Sequence, residues 1–289
     1  LVVYDCTGFI HFPQNSYILS NNPPPLRPYA MLGKMCLVRC DRVEQRVREK
    51  SLHMKQVERR GAGGLGKAAP ASRGDPAAGM AAEVDRRLLR CYGDREWSPR
   101  FGELLDGLVH TILSQNTSDV NSHRAFEQLK EAFPTWEDAA GAATADIEEA
   151  IRSGGISRVK AERIKAVLEM VRADCGSYSL ECLREMGVEQ ARDYLLGMPG
   201  VGRKTAAVLL LFQLGYPLFP VDTHILRVGK RLGLIPPRAS ADQAHDIMDT
   251  AVPDDIKFRL HINLIEHGRA VCKARKPDCP GCCLNDICP

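Results

Sequence analysis

The spacing of apolar residues from Met80 onward is the feature that most restricts how this chain can fold. Leu104, Leu108 and Ile112 lie on one stripe of an amphipathic helix that ends at the polar run 114–117. Almost no segment alternates apolar and polar residues with the period of two that a half-buried strand requires. The sequence therefore predicts an all-α fold of roughly eight to ten helices.

Capping residues mark where further helices begin. We expect one helix to start after Thr117 or Ser118 and another after Thr144, because these residue types often cap helix N-termini. Val159 is predicted to lie on the apolar face of a later helix, and Asp254 is predicted to begin a helix near the carboxyl end.

The first 79 residues show neither helical nor strand periodicity. Gly, Ala and Pro make up 14 of the 19 residues in 61–79, a composition that buries too little apolar surface to offset its ordering entropy. Residues 1–79 also carry 12 basic and 6 acidic side chains, whereas 80–289 carry 27 and 30. We therefore predict a low-order basic tail and linker over 1–79, either a genuine DNA-attracting extension or an artefact of start-site choice, followed by one folded unit over 80–289.

The sequence excludes an integral membrane protein. The longest uninterrupted apolar stretch, 206–212, is far shorter than the roughly 20 residues that a membrane-spanning helix needs. The first residues also lack the basic and apolar regions of a secretory signal. We expect an intracellular, monomeric protein.

Residues 198–205, Met-Pro-Gly-Val-Gly-Arg-Lys-Thr, form a Gly-x-Gly turn between an amphipathic helix and an apolar one. Gly200, Val201 and Gly202 allow a tight turn whose N–H groups converge, and the following helix directs its positive dipole end to the same point. A Gly-x-Gly sequence alone often does no more than join two helices. With a helix on each side, the segment predicts a helix-hairpin-helix clamp for a phosphate group.

Lys204 and Asp222 form a candidate reactive pair near this turn. Asp222 has two interpretations: it only caps the helix that carries Ile225 and Val228, or it also faces a cleft. Lys204 begins a neighbouring helix, where the positive dipole potential disfavours its charged form. A neutral amine is the nucleophile that Schiff-base chemistry requires.

Cysteines are concentrated at the carboxyl end of the chain. Five of the 11 fall in the last 18 residues, and four of them have the spacing C-x6-C-x2-C-x5-C. In a chain without a secretory signal, clustered thiols more often bind metal than form disulfides. Only one close pair of the kind that zinc sites use twice is present, so an iron–sulfur cluster fits better than zinc. The predicted ligands are Cys272, Cys279, Cys282 and Cys288, with Cys283 as the lesser alternative.

Three basic residues lie between the first two predicted ligands. Lys273, Arg275 and Lys276 would occupy a loop that the bound cluster holds in place. Because contacts to phosphates supply much of a protein's affinity for nucleic acid, this loop predicts a rigid phosphate-binding platform.

Four segments of the sequence together resemble the endonuclease III branch of the helix-hairpin-helix DNA glycosylases. They are LSQNTSDVN, MPGVGRKTAAVLL, FPVDTHILRV and HGRAVCKARKPDCPGC, in the family's order, and the resemblance covers about 85–289. It implies a six-helix barrel that carries the hairpin and a second all-α lobe, built from both chain ends, that holds a [4Fe–4S] cluster. It also implies that Lys204 is the nucleophile, Asp222 its carboxylate partner, and Gly200 to Gly202 the phosphate-binding hairpin.

One position departs from the family pattern. Asn116 falls where endonuclease III usually has the glutamine that fills the gap left by a flipped base, and Gln115 directly precedes it. The residue that fills the gap is therefore either Gln115 or Asn116, and both are candidate DNA contacts.

The resemblance implies a bifunctional DNA glycosylase and apurinic/apyrimidinic (AP) lyase that excises oxidised pyrimidines from duplex DNA. Relatives that remove adenine or mismatched thymine generally lack a lysine at the position of Lys204, so its presence favours this branch. Two alternatives stay open: a monofunctional mismatch or uracil glycosylase that uses Asp222 to activate water, and a module that binds damaged DNA without catalysis. The expected partner is double-stranded DNA that contains damaged bases or abasic sites.

Overall fold

The computed structural model describes residues 76–289, which form two helical lobes. The predicted all-α class is confirmed, since no strand occurs in this described part of the chain. None of its helices is both long and apolar enough to cross a membrane. Its eleven α-helices are α1 (Pro76–Tyr92), α2 (Leu104–Leu113), α3 (Asp119–Ala132), α4 (Trp136–Gly141), α5 (Thr144–Ala150), α6 (Ser157–Cys175), α7 (Val188–Leu196), α8 (Arg203–Leu214), α9 (Thr223–Arg231), α10 (Ala241–Ala251) and α11 (Lys257–Ala270).

The first lobe packs α2 to α8 around one apolar core. Leu108, Ile112 and Leu168 are completely buried in it, and α2 packs against both α3 and α8. Burying such aliphatic side chains stabilises the fold by about 1.5–3 kcal/mol each. This lobe is the helical barrel that the resemblance implied, with the short helices α4 and α5 between longer ones.

The second lobe is built from both ends of the described chain. Helix α1 packs against α11, and α11 packs against α9. Leu88, Phe219 and Leu264 are fully buried in a core of their own. Arg259 of α11 reinforces the contact by donating two hydrogen bonds to the buried carboxylate of Asp85, at 3.1 and 2.7 Å. The predicted second lobe is thereby confirmed.

Several helix boundaries follow the capping chemistry expected from the sequence. Ser118 Oγ accepts a hydrogen bond from the Asn121 N–H at 3.3 Å, so α3 starts where predicted. Helix α1 begins at Pro76, so the last four residues of the predicted linker are helical. The rest of the predicted tail and linker lies outside the described residues.

Three of the predicted boundaries and faces were wrong. Thr144 is the first residue of α5 and not its cap, since the N-cap is Ala143 and no side chain caps the helix. Val159 is 39% exposed, because it precedes the buried Ile164 by five residues and therefore points away from the buried stripe of α6. Asp254 begins a 3-10 turn, and the α-helix starts only at Lys257.

Candidate active site and cluster-binding loop

The predicted Gly-x-Gly turn joins α7 to α8. Gly200 has φ +75°, a conformation that glycine adopts without strain, and a Cβ there would lie 2.4 Å from Arg163 Cδ. Val201 is buried and anchors the turn in the barrel core. Gly202 is the exposed N-cap of α8 and offers no side-chain acceptor, so the first N–H groups of the helix have no side-chain cap. Uncapped N–H groups at the positive end of a helix dipole are the arrangement that favours binding of an anion.

The two candidate gap-filling residues, Gln115 and Asn116, differ in their contacts. Gln115 Nε2 donates to Gly200 O at 3.1 Å and to Thr205 Oγ1 at 3.2 Å, and Gln115 Oε1 accepts from Arg163 Nη1 at 2.8 Å. Asn116 is exposed and has left-handed backbone, with φ 54°. Gln115 therefore braces the hairpin, whereas Asn116 presents its side chain to the surface.

Lys204 and Asp222 lie at the starts of two neighbouring helices. Lys204 is exposed in the first turn of α8. Asp222 is half-buried, and its Oδ1 accepts a hydrogen bond from the Ile225 N–H at 2.7 Å at the start of α9. The capping interpretation of Asp222 is thus confirmed. Because the bond uses only one carboxylate oxygen, a second role is compatible with it.

His261 of α11 is a buried side chain beside the segment that carries Asp222. Burial holds its pKa well below the usual value; the Asp222 carboxylate opposes this shift and the Lys204 ammonium adds to it. Both charges therefore lie close to one imidazole, which is neutral at pH 7. His261 Nδ1 donates to Pro220 O at 3.0 Å, so α11 holds the backbone just before Asp222.

The four predicted cluster ligands line one cavity. It has a volume of about 440 Å³ and lies between the carboxyl-terminal loop and α9, and Cys283 is not part of its lining. Over residues 76–289, no three Cys, His, Asp or Glu side chains are placed to hold a single metal ion. A structural zinc ion would draw four ligands to about 2.3 Å, whereas an iron–sulfur cluster fills the space between thiolates bound to different iron atoms. The donor set fits a cluster: Cys272, Cys279, Cys282 and Cys288.

Arginines of α9 hold the loop that carries these cysteines. Arg231 Nη1 donates to Cys272 Sγ at 3.2 Å and to Lys273 O at 2.8 Å, and its Nη2 donates to Ala274 O at 3.3 Å. Arg227 Nε donates to Cys272 O at 3.0 Å. Helix α9 therefore carries Asp222 at one end and the anchor of the loop at the other. The predicted phosphate contacts, Lys273, Arg275 and Lys276, are all exposed on this loop.

Comparison with known proteins places these features in one family. Residues 109–253 match the model of the HhH-GPD superfamily of base excision DNA repair proteins. The match covers the hairpin, Lys204 and Asp222. The chain belongs to this superfamily.

Similar proteins include several named endonuclease III. The one from Rickettsia conorii is 33% identical over 218 residues, which are 72% of this chain and 97% of the relative. A candidate DNA glycosylase of Arabidopsis thaliana is 40% identical over 173 residues, 60% of this chain, and the alignment spans only 59% of that relative's length. A trapped covalent intermediate of endonuclease III with DNA has a TM-score of 0.63 at 28% identity, covering 73% of this chain and 95% of that one. The predicted likeness to endonuclease III is confirmed.

One exposed apolar residue of this superfamily member was missed by the sequence reasoning. Ile156 is 54% exposed and has left-handed backbone, with φ 49°. The buried Lys160 ammonium donates to Leu113 O at 2.7 Å and to Gly154 O at 2.9 Å, so it ties the loop of Ile156 to the end of α2 that precedes Asn116. An isoleucine in a strained and exposed conformation suggests a contact surface.

Replacing Arg231 by Met should weaken the cluster loop while leaving the rest of this HhH-GPD protein folded. The change removes charged donors from four atoms of the loop, and such hydrogen bonds contribute about 1.5–3 kcal/mol each. We expect absorbance near 400 nm to be lost several-fold faster in a chelator than in the wild type. Arg238→Met, on the exposed segment after α9, is the control. Equal loss rates in all three proteins would show that Arg231 does not hold the loop.

Proposed function

We propose that this chain is a bifunctional DNA glycosylase and AP lyase that removes oxidised pyrimidines from duplex DNA. The observation that carries the proposal is an exposed Lys204 in the first turn of α8 together with a half-buried Asp222 that caps the start of α9. The related endonuclease III trapped as a covalent DNA intermediate supports a reaction in which a protein side chain bonds to the DNA. Duplex DNA with a damaged base or an abasic site is the proposed partner, bound by one chain.

The chemistry assigned to Lys204 begins on a nucleotide that has left the base stack, because its C1′ atom is out of reach inside the duplex. The neutral amine attacks C1′, and the glycosidic bond breaks with its electron pair leaving on the base. Transfer of a proton from the attacking nitrogen to O4′ lets the C1′–O4′ bond open, which gives a protonated imine and an O4′ hydroxyl; the imine acidifies the C2′ hydrogen. Loss of that proton expels the 3′ phosphate and cuts the strand.

Asp222 is proposed to stabilise the positive charge that develops on the sugar and to assist the proton transfers. Its Oδ1 is fixed by the helix cap, so the carboxylate has one orientation with respect to α9. The hydrogen bond from His261 to Pro220 O holds the backbone beside it. Fixed charges that meet a developing cation without reorganising are a large source of catalysis.

Asn116 is proposed to fill the gap that the flipped base leaves in the duplex. Ile156 is proposed to insert between the bases beside that gap. Asn116 is exposed, while the amide of Gln115 is already bonded to the hairpin. Ile156 is an exposed apolar side chain on a loop tied to the same end of α2. Proteins that unstack DNA often insert apolar wedges of this kind.

A [4Fe–4S] cluster is proposed to bind Cys272, Cys279, Cys282 and Cys288. Bound to four thiolates, it would supply a structural link that ties the carboxyl end to α9. The surrounding residues hold its ligands: Arg231 donates to Cys272 Sγ, and the Leu284 N–H donates to Cys282 Sγ at 3.4 Å. Such a link keeps the basic loop beside it rigid.

Replacing Lys273, Arg275 and Lys276 by Ala should weaken DNA binding without changing lesion preference. Phosphate contacts carry affinity and no sequence information, so damaged and undamaged duplexes should lose affinity by a similar factor. The slope of log affinity against log salt should fall by about 0.9 for each phosphate that the variant no longer binds. The variant should keep its brown colour, because all four thiols remain. An unchanged salt slope would remove this loop from the DNA interface.

A panel of three duplexes tests the proposed function. Purified protein is mixed with thymine glycol, uracil-mismatch and abasic duplexes, with and without borohydride. We expect strand cleavage and a covalent adduct with the thymine glycol and abasic duplexes. Uracil release without an adduct would instead establish the monofunctional alternative, and binding without any release would establish the non-catalytic one.

A further inference from the structure

A small cavity lies between α2 and α8. His110 of α2 lines it, together with Val208 and Phe212 of α8. Val208 and Phe212 follow Lys204 by four and eight residues, so all three lie along one side of the helix. The cavity therefore lies about one to two turns along α8 from the proposed nucleophile, on the same side of the helix.

Aromatic contacts connect this cavity to Asp222 as well. The Phe212 ring packs edge-on against the His261 ring, with centroids 5.5 Å apart. His261 in turn holds the segment before Asp222 through Pro220 O. Contacts therefore run from the cavity lining through His261 to the segment that carries Asp222.

His110 brings an unsatisfied polar atom to the cavity. The residue is only 4% exposed, and its Nε2 is the one buried side-chain nitrogen or oxygen of the described residues that has no hydrogen-bond partner. Burial lowers the pKa of His110 to about 4, with Arg100 and His123 adding to the shift, so its ring is neutral at pH 7. A buried polar atom without a partner destabilises a fold, and its presence calls for a ligand or a water.

The size and charge of the cavity restrict that ligand. Its volume of about 20 Å³ accommodates one water-sized atom and excludes a whole base. Arg100 lies at its lining, with the guanidinium carbon 5.6 Å from the Phe101 ring centroid. A guanidinium only donates hydrogen bonds, and a neutral imidazole can donate one. The ligand group that fits these donors is therefore a hydrogen-bond acceptor such as a carbonyl oxygen. An amino group does not fit, because its hydrogens would point at the hydrogens of Arg100.

We propose that His110 and Arg100 form an oxygen socket that receives one exocyclic oxygen of the flipped base. The inference rests on the proposed function, because it assumes a base drawn out toward Lys204. The socket selects pyrimidines that carry oxygen at the 4-position over those that carry an amino group there. His110 is thereby a specificity-determining residue, and the abasic reaction, which has no base to read, does not depend on it.

Two oxidised pyrimidines test the socket, because 5-hydroxyuracil and 5-hydroxycytosine differ in the exocyclic group at the 4-position. Base release is measured in single turnovers for the wild type and for His110→Leu, separately from strand cleavage. We expect the wild type to prefer 5-hydroxyuracil about tenfold or more, and His110→Leu to lose most of that preference by slowing only 5-hydroxyuracil release. Cleavage of an abasic duplex should be unchanged, and thermal stability should not fall, because leucine removes the unpaired atom.

Two further variants keep the test independent of folding. His123→Leu alters the exposed imidazole nearest to His110, with ring centroids 6.3 Å apart, and should keep the wild-type preference. Arg100→Met alters an exposed side chain and should lose the preference as His110→Leu does. The socket is overturned if His110→Leu and Arg100→Met both keep the wild-type ratio, if both pyrimidines slow equally, or if the wild type releases neither base. If the wild type forms no imine, the proposed lyase activity is contradicted. The ratio of 5-hydroxyuracil release to 5-hydroxycytosine release would still show whether the oxygen socket exists.

Discussion

Lys204→Gln should abolish both strand cleavage and borohydride trapping, the largest effect that we predict. A glutamine amide cannot form an imine, yet it has a similar length and is compatible with the first turn of α8. Because Lys204 is exposed, the fold and the binding of damaged DNA should be largely retained. The measurements are gel assays of cleavage and of covalent adduct on an abasic duplex, with binding followed in parallel.

Lys230→Gln is the matched control for this variant. Lys230 lies in the last turn of α9, so the same chemical change is made away from the hairpin. We expect it to cleave and to be trapped like the wild type. Trapping of Lys204→Gln at the wild-type level would assign the nucleophile to another amine.

Asp222→Asn should reduce turnover by about 10² or more while the protein stays folded. The asparagine oxygen can still accept the hydrogen bond from the Ile225 N–H, so the cap of α9 survives. Only the negative charge is lost, and with it the stabilisation of the cationic sugar. Single-turnover rates on thymine glycol and abasic duplexes measure the effect, and circular dichroism measures helix content.

A second variant separates the two roles of Asp222. Asp222→Ala removes both the cap and the charge, and loss of an N-cap typically costs about 1 kcal/mol of stability. If the negative charge of Asp222 is what catalysis requires, Asp222→Asn and Asp222→Ala should have similarly low turnover. Their thermal stabilities should differ, because only Asp222→Ala loses the cap. If Asp222→Asn lost activity only in proportion to lost helix, capping would be the whole role of Asp222.

Features with a local cause could be predicted from the sequence. The start of α3 follows from the hydroxyl of Ser118, and the turn at Gly200 follows from two glycines between helices. The four thiols that line one cavity were identified by their spacing alone. In each case the interacting groups lie within a few residues of one another, or their residue type carries the information.

Features that depend on packing between distant segments could not be predicted in this way. Arg231 contacts Cys272, and His261 contacts Pro220, each across 41 residues of sequence. The orphan nitrogen of His110 is visible only once α2 and α8 are placed together. Ile156 counts as an ordinary apolar residue until its exposure is known. Sequence patterns predict which face of a helix is buried, but they do not predict which partner it meets.

Peptide mapping of the borohydride-reduced adduct tests the central claim most directly. The wild-type protein is trapped on an abasic duplex, digested, and the modified residue is located by mass spectrometry. We expect a single reduced sugar adduct on the ε-amine of Lys204, within the peptide that follows the Gly200 to Gly202 turn. An adduct on any other amine, or strand cleavage without an adduct, would contradict the assignment of Lys204 as the nucleophile.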